Sequence, residues 1–125
     1  MVALDTNIAI DILRGKLEPP TDSRDAHHAL PVTVVGELLF GAQNSGRPDA
    51  NLVLYRKFIY NLDVLLLDAL AAEHYAEIRL ALKQQGRPIP ENDMWIAAIC
   101  RANDVPLLTF DKHFGYVPGL QLLVP

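Results

Sequence analysis

Four carboxylates occur in four separate stretches of the chain, each where an apolar run gives way to a loop or a helix: Asp5, Glu37, Asp93 and Asp111. Asp5 ends the run Met1-Val-Ala-Leu, and Asp111 follows Pro106-Leu-Leu-Thr-Phe; Glu37 and Asp93 each lie early in an apolar, helix-like segment. In a parallel α/β sheet, ligands gather outside the carboxyl ends of the strands. Acids from distant segments can meet there, and clustered carboxylates repel one another unless something positive joins them. A hard divalent cation, Mg²⁺ or Mn²⁺, suits such a donor set because it prefers oxygen and retains water.

The elements that must position these acids follow from hydrophobic patterning. Short apolar strand signals fall at 2–4, 30–33, 64–67, 106–109 and 121–124, as expected of strands covered on both faces. Helical patterns occupy 7–14, 22–29, 34–43, 48–62, 68–85 and 92–102. Thr33 is a good N-cap for the helix that carries Glu37. Asp68 can cap the longest helix, which Gly86 and Pro88 would end. That helix is expected to present Leu70, Ile78 and Leu82 on its apolar face. Around Asp93, Met94, Ile96, Ala97, Ile99 and Cys100 form an apolar face too broad for a lone surface helix. Strands alternating with helices predict right-handed βαβ units, hence an α/β fold: a three-layer α/β/α sandwich around a central parallel sheet.

Each acid also has a plain structural role open to it. Asp5, Asn92 and Asp93 could cap helices, and Asp111 could begin a turn. Glu37 is the hardest to explain that way. It lies four residues beyond Thr33, beside the stripe Val34, Val35, Leu38, Leu39 and Ala42, and Gly36 and Gly41 leave space near it.

Bulk properties narrow the classes. A chain of 125 residues is near the commonest domain size, and residues 1–125 read as one domain. No run is long and apolar enough to span a bilayer, and the start lacks the pattern of a secretory signal, so a cytoplasmic protein without a membrane partner is expected. The single cysteine, Cys100, excludes an internal disulfide and argues against zinc. With 15 acidic and 11 basic residues the net charge is −4, unlike a generic electrostatic nucleic-acid binder. Setting aside the four acids leaves the remainder neutral, so a bound divalent cation would cancel most of the local negative charge.

Four segments together resemble the PIN-domain family, and more narrowly the VapC-type toxins of bacterial toxin–antitoxin pairs. They are Leu4-Asp-Thr-Asn7, Thr33-Val-Val-Gly-Glu-Leu-Leu-Phe-Gly41, Pro90-Glu-Asn-Asp-Met-Trp-Ile-Ala-Ala98 and Leu107-Leu-Thr-Phe-Asp-Lys-His-Phe114 with Val117-Pro-Gly-Leu120. The likeness covers the whole chain, including Ala72-Glu-His-Tyr-Ala-Glu-Ile-Arg79. It implies a metal-dependent endoribonuclease that hydrolyses RNA with a metal-activated water, leaving a 5′-phosphate and a 3′-hydroxyl. Carried over by position, Asp5, Glu37 and Asp93 are the principal ligands of Mg²⁺ or Mn²⁺. Asp111 completes the pocket or holds a second ion, and Asn7 and Thr109 orient the acids. The family often has Thr or Ser three residues before the glutamate, where this chain has Val34; Thr33 is the expected substitute. The resemblance also implies a small antitoxin partner and a homodimer, joined with antitoxin in a heterotetramer or larger assembly. The aromatic-rich segment 40–60 would help form the antitoxin's groove.

Arg14, Arg87 and Lys112 lie near the expected mouth and could touch phosphates. His113 reads as a surface turn residue, because metal-bound hydroxide needs no side-chain base. His27 and His28 are expected to face solvent, and Trp95 to be buried against the sheet. A phosphatase working through an aspartyl phosphate needs a second acid two residues after the first, where Asn7 stands. A receiver domain needs an acidic pair, which is missing after the first strand. A non-catalytic PIN-like module for RNA binding or protein interaction is the remaining alternative.

Overall fold

A computed structural model describes residues 1–20 and 27–125. The first strand, β1 (Val2–Leu4), lies at the centre of the sheet. Its successive residues Ala3 and Leu4 point to opposite faces and both are fully buried, so both faces are covered there. The other strands are β2 (His28–Pro31), β3 (Asp63–Leu65), β4 (Leu107–Leu108) and β5 (Leu122–Leu123). All pair in parallel in the order β3-β2-β1-β4-β5. The helices are α1 (Thr6–Leu13), α2 (Val32–Gln43), α3 (Pro48–Tyr60), α4 (Ala69–Gln85) and α5 (Glu91–Ala102), followed by a 3₁₀ helix, Lys112–Tyr116. The expected α/β/α architecture is the one found.

This strand order has a consequence for function. The chain builds outward from β1 through β2 to β3, then returns to the other side of β1 for β4. The order therefore reverses between β1 and β4, and a crevice opens beyond the carboxyl ends of those two strands.

Local chemistry explains most of the boundaries. Asp68 caps α4 by accepting from the Ala71 amide at 2.9 Å, and Gly86 ends it in the left-handed region at φ +67°. The broad apolar face of α5 is wholly buried, from Met94 through Cys100 except for half-buried Trp95. Burial pushes the Cys100 thiol up to about 12, so it is an inert core residue.

Several expectations are corrected. Strand β2 stops at Pro31 and α2 begins at Val32, so Thr33 lies inside the first turn and caps nothing. Its buried hydroxyl has no hydrogen-bond partner among the described residues. Likewise α5 starts at Glu91 after Pro90, and neither Asn92 nor Asp93 is its N-cap. In both helices the preceding proline, with its fixed φ, sets the entry of the chain where a side-chain cap was expected. Strand β3 is an edge with Asp63 and Val64 exposed, and Leu70 faces solvent while Ala71, Ile78 and Leu82 are buried. The proposed helix at 22–29 falls largely outside the described residues; its last two positions, His28 and Ala29, are in β2. His28 is half-buried, its Nε2 lying 2.9 Å from the Pro20 carbonyl, whereas His27 is exposed. No helix among the described residues is long and apolar enough to cross a membrane.

Candidate metal centre

Asp5 leaves the end of β1 and is only 8% exposed. Its Oδ1 accepts from the Thr6 amide at 2.8 Å, so it does cap α1, while Oδ2 accepts from the Thr109 hydroxyl at 2.7 Å. Thr109 in turn accepts the Asp111 amide at 2.9 Å. One buried threonine beyond β4 thus fixes both the first acid and the backbone of the fourth. Glu37, on α2, accepts a hydrogen bond from the Thr6 hydroxyl. Asp93, in the first turn of α5, and exposed Asp111 are spanned by His113, whose Nε2 lies 2.9 Å from Asp93 and whose Nδ1 lies 3.1 Å from Asp111.

The electrostatics confirm that the acids feel one another. The Glu37 carboxyl is raised above its ordinary range by burial and by the charges of Asp5 and Asp93, against the lowering effect of Thr6. Asp93 is raised by burial, then by Asp5, with His113 opposing the rise and Asp111 adding to it. Four acids drawn from the ends of two strands, the second turn of α2 and the first turn of α5 therefore share one neighbourhood. One ligand atom each from Asp93, Asp111 and His113 lie within 4.8 Å of one another. Asp5, Asn7, Phe110 and Asp111 line an open cavity of about 260 Å³ at this place.

A divalent cation fits this set. The donors are carboxylate oxygens, Asp5, Glu37 and Asp93 are buried or half-buried beside one another, and there is room for water. No lysine or arginine is paired with any of the four acids among the described residues.

Two residues were missed or misread in the sequence. Thr6 supplies the hydroxyl expected of Thr33, and its place directly after Asp5 was the available signal. His113 is no solvated turn residue: it is half-buried within the acid group. Asn7 lines the cavity but is exposed and makes no side-chain hydrogen bond among the described residues. Trp95 is half-buried and stacks on α4, its ring 3.7 Å from that of Tyr75 and nearly parallel to it. Of the three suggested phosphate contacts, Arg14 is exposed at the far end of α1 from Asp5, and Lys112 is exposed next to Asp111. Arg87 stacks over Tyr116, its guanidinium 4.2 Å from the ring centre.

A parallel sheet with acids converging at its topological switch point defines an α/β class of protein with a place for a divalent cation, and comparison with known proteins narrows it. Residues 2–120 match the PIN domain family. The chain is 34% identical to the tRNA(fMet)-specific endonuclease VapC of Shigella flexneri, over 94% of this chain and 92% of that protein. It is 33% identical to a ribonuclease VapC of Haemophilus influenzae, with the same coverage. Among solved structures, the DNA-bound VapBC of Salmonella typhimurium superposes with a TM-score of 0.90 at 28% identity, covering 99% of this chain and 98% of that one. The chain belongs to the PIN-domain family, among proteins of the VapC kind.

Proposed function

We propose that this chain, as one PIN domain, is a Mg²⁺- or Mn²⁺-dependent endoribonuclease and the toxin of a toxin–antitoxin pair. The observation that carries the reading is the meeting of Asp5, Glu37, Asp93 and Asp111 from separate parts of the chain, with the carboxyls of Glu37 and Asp93 raised by burial and by neighbouring acids. A cation held by Asp5, Glu37 and Asp93, with Asp111 completing the set, would activate a water and offset charge on the phosphodiester. The chain's own residues hold that arrangement. Thr109 and the Thr6 amide lock the two oxygens of Asp5, so its orientation does not depend on a ligand. Thr6 fixes Glu37, and His113 keeps Asp93 and Asp111 facing one another.

The relatives named as nucleases support RNA as the substrate and the VapBC assemblies support an antitoxin partner. On the α2–α3 hairpin, Phe40, Val53, Leu54 and Tyr60 are exposed, which suits a groove for an amphipathic antitoxin segment and a homodimer within a larger complex. A cytoplasmic location goes with this reading, since an RNA substrate and a toxin role call for one.

The test is incubation of the isolated chain with total RNA and Mg²⁺ or Mn²⁺, followed by mapping of new 5′ ends. Discrete cuts that vanish with chelator and in Asp5→Asn are expected. Equal cleavage by Asp5→Asn would overturn the reading, and RNA binding without cleavage would favour a non-catalytic module.

A further inference from the structure

A second cavity, of about 340 Å³, adjoins the start of α5, the helix that holds Asp93. It is lined by Arg79, Leu82, Lys83, Gly86, Pro88 and Met94. Its position follows from the α4–α5 hairpin. Helix α4 ends at Gln85 and the chain re-enters as α5 at Glu91, so the last turns of α4 sit beside the helical turn that holds Asp93. Met94, the residue after Asp93, forms part of the wall.

Two properties set this cavity apart from ordinary surface. First, Leu82, Pro88 and Met94 give it an apolar lining, and Arg79 and Lys83 add two cations to it. Arg79 is held in place, donating to the Tyr75 hydroxyl at 2.7 Å and lying 3.5 Å from the Glu91 carboxylate. Lys83 has no side-chain partner among the described residues. Second, residues 79–87 carry three cations and no acid, in a chain whose net charge is −4. The third cation, Arg87, lies over the ring of Tyr116 at the end of the 3₁₀ helix that begins beside Asp111. Of the three, Arg79 is tied to Glu91, which shares the first turn of α5 with Asp93.

An apolar hollow with cations in its lining is complementary to a nucleotide: the base enters the hollow and the flanking phosphates meet the cations. Its volume is at the small end of ligand sites, enough for one such group. Phosphate contacts fix register, while an unstacked base is held by apolar and stacking contacts. We infer that the cavity between the end of α4 and the start of α5 is a subsite for a nucleotide flanking the scissile phosphate of a single-stranded RNA, with Arg79, Lys83 and Arg87 binding its backbone. The inference rests on the ribonuclease reading and adds to it where the strand runs. It also answers how an acidic protein with an acidic centre retains a polyanion.

The experiment compares the full chain with Lys83→Glu and with Arg79→Gln/Lys83→Gln, all surface changes away from the four acids. Two substrates are used with Mn²⁺: a single-stranded RNA oligonucleotide and bis(p-nitrophenyl) phosphate, a phosphodiester too small to reach the cavity. Binding of dye-labelled RNA is followed by anisotropy across a salt series. The variants should bind RNA about ten-fold more weakly and raise KM for RNA, with turnover of the small diester unchanged. The slope of log affinity against log salt should become shallower by about one for each charge removed. A 4-thiouridine in the RNA should crosslink to the peptide spanning residues 79–94. Variants that bind and cleave RNA like the parent would overturn the subsite while leaving the nuclease intact. A parent inactive on both substrates would instead sink the nuclease reading. Loss of antitoxin binding with RNA binding retained would assign the cavity to a protein partner and overturn the inference.

Discussion

The Thr109 hydroxyl donates to Asp5 Oδ2 at 2.7 Å across a separation of 104 residues, joining the carboxyl ends of β1 and β4 at the point where the strand order reverses. Thr109 is 3% exposed and uses the same oxygen to accept the Asp111 amide. Thr109→Val keeps the shape and removes both bonds. Groups that orient metal-binding carboxylates are typically worth 10- to 100-fold in affinity or activity. The variant should therefore stay folded and bind Mn²⁺ roughly 10- to 100-fold more weakly by calorimetry. Unchanged affinity would show that Asp5 needs no such support.

The raised carboxyl of Glu37 makes a signed prediction about pH. Its ordinary value is 4.5, and burial with Asp5 and Asp93 nearby raises it in the folded state. Folding therefore favours the protonated form. That contribution is fully present below the ordinary value and is lost as pH rises through the folded value. Glu37→Gln mimics the protonated group and keeps an acceptor for Thr6. Without metal, Glu37→Gln should melt higher than the parent at neutral pH, and the gap should close on acidification below the ordinary carboxylate range. With saturating Mg²⁺ or Mn²⁺ the order should invert, because the cation binds the native parent more tightly and stabilises it. A gap independent of pH would refute the repulsion among these acids.

His113 bridges Asp93 and Asp111 through both ring nitrogens. His113→Ala leaves two carboxylates facing each other with no donor between them. Thermal melts in chelator should show a lower Tm than the parent. Added Mn²⁺ should recover most of that difference by joining the acids itself. A deficit that metal does not touch would mean that His113 acts through packing with Phe114, whose ring centre lies 4.9 Å away.

The contrast between Thr109 and His113 shows what a sequence carries. Asp5 and Asp111 were legible because each ends a short apolar run, and in a parallel sheet that position alone sends a side chain to the ligand-binding edge. Asp68 and Gly86 were legible for a local reason: a cap and a left-handed stop act within one turn. His113 was not, because its direction depends on a 3₁₀ turn that brings it back over α5. Thr33 misled for a similar reason. Pro31 starts α2 two residues earlier than the threonine suggested, and the hydroxyl for Glu37 comes instead from Thr6. Val64 looked like a core residue, and its exposure follows from β3 being the edge of the sheet, which no local pattern reveals.

Arg101, near the end of α5, ties three parts of the fold together away from the acids. Its Nε donates to His74 Nδ1 at 2.7 Å, one terminal nitrogen donates to the Pro118 carbonyl at 2.9 Å, and the other to Glu77. The side chain is 15% exposed while Glu77 is 70% exposed, so solvent screening leaves the ion pair with little net effect. The bonds to His74 and Pro118 matter more, since they fasten α4 and the turn before β5 to α5. Arg101→Ala strands both acceptors and removes the packed stem of the side chain. It should cost about 2 to 3 kcal/mol in urea unfolding, with Mn²⁺ affinity unchanged. Glu77→Gln should cost less than about 1 kcal/mol. Equal losses in the two variants would show that the ion pair, not the two neutral acceptors, fastens the hairpin.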